Sequence, residues 1–147
     1  MLKEFFKHKF EYDFLTNKKW CENLLSQEEL ISDYCQKSMS HIVNVHHIWI
    51  QRVLGLPSES FSWDKLPADY WIKLHQENYL KTLDFLEKVD ELEKVNYHSE
   101  EGVQLEKEVV DVLYHILNHS NYHRGQIAKD LRDHGLEVPS YNFITFK

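Results

Sequence analysis

Ten histidines lie in the 147 residues of this chain, and six of them crowd into two short windows. The first holds His41, His46 and His47; the second holds His115, His119 and His123. His119 and His123 stand four positions apart. On a helix such a pair sits one turn apart on one face, close enough to share a metal ion. Taking about 100° per residue and His115 as zero, His119 falls at about 40° and His123 at about 80°. Val109, Val112, Ile116 and Ile127 fall between about 60° and 120°. The pair therefore borders the apolar stripe, where an unpaired polar group costs about 1–3 kcal/mol. A bound cation would satisfy both imidazoles together.

A third ligand must then come from another element. Measured from His41, the residues Val45, Ile48 and Arg52 fall within about 40°, while His46 and His47 fall at about 140° and 240°. His41 shares its face with apolar residues and is the predicted third ligand. Taken alone, it would suit a core histidine bonded to a backbone carbonyl.

Four long helices are predicted to position these residues. The first runs from about Leu2 to Leu25, with Phe6, Phe10, Phe14, Leu15, Trp20 and Leu24 near helical spacing. Ser26 and Glu29 form a capping-box pattern for a second helix that carries His41 and stops at Gly55 and Pro57. Phe61 and Trp63 are aromatic anchors in a loop. A third helix starts after Pro67 with Asp64 as its candidate cap; its predicted stripe is Tyr70, Leu74, Tyr79, Leu83 and Leu86, and it ends near Val89. Val95–Tyr97 and Val103–Leu105 flank a turn and predict a small hairpin. The fourth helix spans about Lys107 to Asp133 with Gly135 at its cap. The tail carries Tyr141, Phe143, Ile144 and Phe146 and is expected to pack on the bundle or on a partner. The predicted fold is all-α: one four-helix bundle domain over residues 1–147, with a small hairpin before the last long helix.

Composition narrows the function. Four glycines and three prolines leave little material for an all-β protein. A net charge of −7 without a basic block argues against a nucleic-acid partner and against an anionic membrane surface. No apolar run approaches the roughly 20 residues of a membrane span. The N-terminus mixes charges with aromatics and lacks the pattern of a secretory signal. Cys21 and Cys35 have no metal-site or disulfide spacing, so free thiols in a reducing cytoplasm are expected.

The chain resembles the DinB/YfiT-like superfamily of metal-binding four-helix bundles over its whole length. The resemblance rests on three features. His41 stands eight residues before Trp49. The last long helix carries Asn118-His119-Ser120-Asn121-Tyr122-His123-Arg124-Gly125-Gln126-Ile127. The closing stretch runs from Gly135 to Ile144. The resemblance implies a three-histidine site at His41, His119 and His123 for a divalent metal, zinc or nickel, with open coordination positions. It also implies a homodimer. Position 46, often acidic in the family, is His here, and position 142, often Asp, is Asn.

Three neutral imidazoles leave a divalent ion's charge uncompensated, so the ion acidifies a bound water to about 7 and deprotonates a bound thiol. Two reactions follow: transfer of a small thiol to an electrophile, or hydrolysis of an ester or amide. Some relatives take bacillithiol, mycothiol or glutathione as the thiol. The segment from His119 to His123 lacks the Glu that serves as general base in H-E-x-x-H, which disfavours hydrolysis. Tyr122 and Arg52 are candidates to orient a substrate. A bundle that binds metal without turnover is the competing class. Because the ligands must be neutral, metal binding is expected to weaken below about pH 6.

Overall fold

The computed structural model describes residues 1–139 and 142–146; the prediction for Tyr141 falls outside them. Four long helices form the bundle: α1 (Leu2–Ser26), α2 (Asp33–Leu54), α3 (Trp71–Lys88) and α4 (Val109–Asp133). A 3-10 turn at Ala68–Tyr70 leads into α3, and a short α5 (Phe143–Phe146) ends the described chain. The predicted hairpin is present. Strands β1 (Lys94–His98) and β2 (Gln104–Glu108) pair antiparallel, with Tyr97 opposite Leu105. Its turn closes by a bond from Gly102 N to Ser99 O, and Gly102 takes φ 83°, a conformation that favours glycine. No helix among the described residues is long and apolar enough to cross a membrane.

Two caps differ from the sequence prediction. Ser26 is the last residue of α1, and its hydroxyl donates back to Asn23 O. Ser32 caps α2 instead, accepting from Cys35 N at 3.0 Å. Asp64 does not cap α3; its carboxylate accepts from Phe61 N and closes a turn within the loop. Gly55 and Gly135 take positive φ just past α2 and α4, as expected of C-terminal stops.

The core has two apolar halves. One joins Trp20, Leu24, Met39, Trp71, Ile127 and Leu131; the other joins Phe6, Phe10, Leu86, Val112, Leu113 and Ile116. The order of these residues along the chain fixes the helix directions. α1 and α4 run one way and α2 and α3 the other, so α2 and α3 need a crossover running the length of the bundle. Residues 55–67 are that crossover. They are tied down along α2: Gln51 donates to Pro57 O, Asn44 donates to Asp64 O, and Leu66 N donates to Ser40 Oγ.

Between the apolar halves lies a buried polar layer drawn from all four long helices. Asp13 and Arg124 form an ion pair at 2.9 Å, with both side chains 5% exposed. The same guanidinium nitrogen reaches Asn17 Oδ1 and Ser120 Oγ, each at 2.6 Å. His46 Nε2 lies 2.8 Å from Thr82 Oγ1, whose hydroxyl donates to Asn78 O; the hydroxyl has one proton, so His46 Nε2 is the donor. His75 is buried against Met39. The inner stripe of α3 is therefore Trp71, His75, Asn78, Thr82 and Leu86, while Tyr70 is exposed. α2 is enclosed on nearly every side from Ser38 to His46, which is why His46 is buried although it lies off the His41 face.

Candidate metal centre

α2 and α4 pack against each other and bring His41 beside His119 and His123. One ligand nitrogen from each of the three lies within 4.8 Å of the others. Ring centroids are 4.6 Å apart for His41 and His119, 4.7 Å for His41 and His123, and 4.4 Å for His119 and His123. His41 and His123 are buried and His119 is half-buried.

The crossover fixes the orientation of His41. Its Nδ1 bonds the Ser62 carbonyl, which can only accept, so the proton sits on Nδ1 and Nε2 is left with its lone pair. That bare Nε2 faces His119 Nε2 at 2.9 Å. Trp63 lies flat on the His41 ring, with centroids 3.6 Å apart and planes 5° from parallel. Ser62 and Trp63 thus do for His41 what outer-shell groups do for metal-ligating histidines: they set the tautomer and the ring angle. Sequence reasoning placed Trp63 in a loop but not over the site. The available signal was the crossover that a pair of parallel helices requires.

Burial keeps the three rings neutral. His119 is pushed down to about 3, first by burial and then by His123, His41 and His115. Burial also lowers His41 and His123, each partly offset by a hydrogen bond: to the Ser62 carbonyl for His41 and to the Gln126 side chain for His123. Their neutral forms therefore persist to lower pH than free imidazole would allow. His123 Nδ1 is sealed from solvent without a hydrogen-bond partner, an unmet polar group inside the cluster. Three neutral, mutually facing imidazoles with one nitrogen unmet fit a divalent cation, and the group can hold one.

The other histidines and the two orienting candidates lie elsewhere. His115 is exposed and stands one turn before His119, its ring edge-on to Trp49. His46 belongs to the polar layer, and His47 is half-buried. Tyr122 is exposed, with its ring edge-on to His123 at 5.1 Å. Arg52 is held over Trp49 and Tyr97, at 4.6 and 4.5 Å, outside the histidine cluster. It lines a cleft of about 240 Å³ together with Val45, Trp49, Ser62 and Glu100, so the cleft borders the loop that holds His41.

Comparison with known proteins bears on the fold and the family. The DinB family model matches residues 15–147. The crystal structure of a DinB-like protein from Bacillus cereus ATCC 10987 superposes with a TM-score of 0.62 at 16% identity, covering 95% of this chain and 97% of that one. At that identity the likeness shows the shared fold. No curated protein matches the chain. With the family pattern spanning most of its length, the chain belongs to the DinB family.

Proposed function

We propose that His41, His119 and His123 bind one divalent ion, zinc or nickel, and that the protein is a metal-dependent S-transferase joining a low-molecular-weight thiol to an electrophile. The observation that supports this most is the fixed tautomer of His41: a bare Nε2 directed at its neighbours in a cluster of neutral rings. When bound, such an ion acidifies a thiol or a water placed in its open positions.

The chain's own residues favour the thiol over the water. Ser120, where H-E-x-x-H carries its Glu, is turned into the polar layer and bonded to Asn17 and Arg124. No general base stands at that position. The protein's own cysteines are unsuited as nucleophiles. Burial pushes Cys21 far up; burial together with the Asp130 hydrogen bond raises Cys35 to about 12. The reacting sulfur must therefore arrive with a small molecule. The cleft beside Ser62 offers it room, and Arg52, locked by two aromatic rings, presents a fixed cation there.

The burial of His41 and His123, with Trp63 stacked on His41, favours a second reading, metal retention without turnover. A thiol screen separates the two. Metal-loaded protein is offered bacillithiol, mycothiol and glutathione with monochlorobimane or a chlorinated nitrobenzene. The S-transferase reading expects conjugation that needs the metal and disappears in His41→Ala. Full metal loading without conjugation of any thiol supports retention. The two unpaired thiols fit a reducing cytoplasm. The homodimer rests on the family resemblance alone, because Phe143 and Phe146 pack on Tyr12 and His8 of the same chain.

A further inference from the structure

Two clefts open between the hairpin and the crossover. One, of about 240 Å³, reaches Ser62, whose carbonyl holds His41. The other, of about 420 Å³, continues past the end of α2 toward Phe61 and lies in the size range of small-molecule sites. Arg52 and Glu100 line both, so the clefts adjoin at these two residues.

Arg52 is preset to receive a planar anion. Its guanidinium lies over the Trp49 and Tyr97 rings, and those rings pack edge to face with centroids 5.0 Å apart. Two aromatic contacts hold the half-buried cation in place without a carboxylate. Its N–H donors face clefts it lines on both sides, in the fork geometry that suits a carboxylate.

Glu100 brings the opposite sign. It is exposed in the turn between β1 and β2, which the bond from Gly102 N to Ser99 O closes. Arg52 and Glu100 share both clefts, yet no ion pair joins them among the described residues. Glu101 lines the smaller cleft as well, so acids outnumber the cation there. That balance does not suit a plain anion. It suits a headgroup that carries an ammonium beside its carboxylate.

The helix sets the length of the ligand. Trp49, under the Arg52 guanidinium, follows His41 by eight residues, about 12 Å of helix rise. An extended chain covers that distance in roughly three to four residues. Free cysteine is too short to reach from Arg52 to the histidine cluster, whereas a thiol of tripeptide size spans it.

We propose, resting on the S-transferase reading above, that the thiol is a peptide-sized molecule with an amino-acid headgroup: its carboxylate bonds Arg52, its ammonium faces Glu100, and its sulfur lies at the His41 end.

S-Methylglutathione, whose sulfur is blocked, tests the headgroup site apart from any reaction. Titration calorimetry on the full chain, with a chelator present, should find one site per chain. Arg52→Gln should weaken binding about tenfold, the loss of a charge-assisted pair of hydrogen bonds. Acetylating the probe's ammonium should weaken it about threefold in the parent, as for an exposed ion pair, and should make no difference in Glu100→Gln. Glu100 is an exposed turn residue, so this second comparison stands even if Arg52→Gln fails to fold. No binding to the parent, a folded Arg52→Gln that binds like the parent, or an acetylated probe that binds the parent undiminished would each overturn the proposal. Conjugation that runs as well with mycothiol, which has neither charged group, as with glutathione would overturn it too while leaving the S-transferase reading standing. The expected binding pattern without conjugation of any thiol would uphold the headgroup site and remove the S-transferase reading.

Discussion

His41 points one ring nitrogen at the Ser62 carbonyl and the other at His119 Nε2, 2.9 Å away. A loop backbone thereby decides which nitrogen of a helical histidine is available for coordination. The loop lies there because α2 and α3 run in the same direction, so the chain must return along α2 before α3 can begin.

That arrangement predicts a role for Trp63, which lies flat on His41. Trp63→Ala should leave the fold intact, because the indole is 53% exposed, and should lower metal affinity by about tenfold, the low end of outer-shell effects. Competition against a chelator of known affinity measures this. Unchanged affinity would show that the Ser62 bond alone holds the ring.

The buried imidazoles away from the site predict a pH dependence of stability. Burial lowers His46 to about 4, against a smaller opposing pull from Asp13; burial, His46 and Arg124 together lower His75 to about 3. Both are neutral in the folded chain, whereas the unfolded chain binds protons near the ordinary value of about 6.5. The unfolded state therefore holds more protons below that pH. The contribution is complete above about pH 6.5 and is lost as pH falls toward 4 and below. Urea unfolding with a chelator present should show stability falling between pH 6 and 4.5. His75→Gln should reduce that slope by about 1.4 kcal/mol per pH unit, the equivalent of one proton. A slope equal to the parent's would place the titration elsewhere.

The polar layer predicts a large mutational effect at one pair. Asp13→Ala leaves the Arg124 charge buried without its counter-ion and should destabilise the protein by about 3–5 kcal/mol. Replacing both residues, as Asp13→Leu with Arg124→Met, should recover much of that loss, since apolar side chains of similar volume often match a buried ion pair. Denaturant midpoints of the parent and the two variants decide it; a double variant weaker than Asp13→Ala contradicts the account.

What could be read from the sequence divides along a physical line. Apolar spacing located four helices to within a few residues at most ends, and the hairpin followed from the composition of its turn. The 40° step from His119 to His123, and the apolar company of His41, brought out the trio the fold assembles. Polar residues in the core escaped because periodicity counts only apolar positions: His75, Asn78 and Thr82 belong to the inner stripe of α3 yet are missing from the apolar stripe read for it. His46 read as outward because an angular argument assumes one buried face, and α2 has more than one. Ser62 acts through its backbone carbonyl, which no side-chain pattern reveals. Ser26 and Ser32 both suit a cap, and only the chain's path between α1 and α2 selects Ser32.

The central claim is that three rings from two helices hold one divalent ion. Elemental analysis of untagged protein, purified without a metal column and dialysed after loading, tests it most directly. The account predicts about one zinc or nickel per chain for the parent and for His115→Ala, and far less for His41→Ala, His119→Ala and His123→Ala. Parent protein retaining far less than one ion per chain would contradict it.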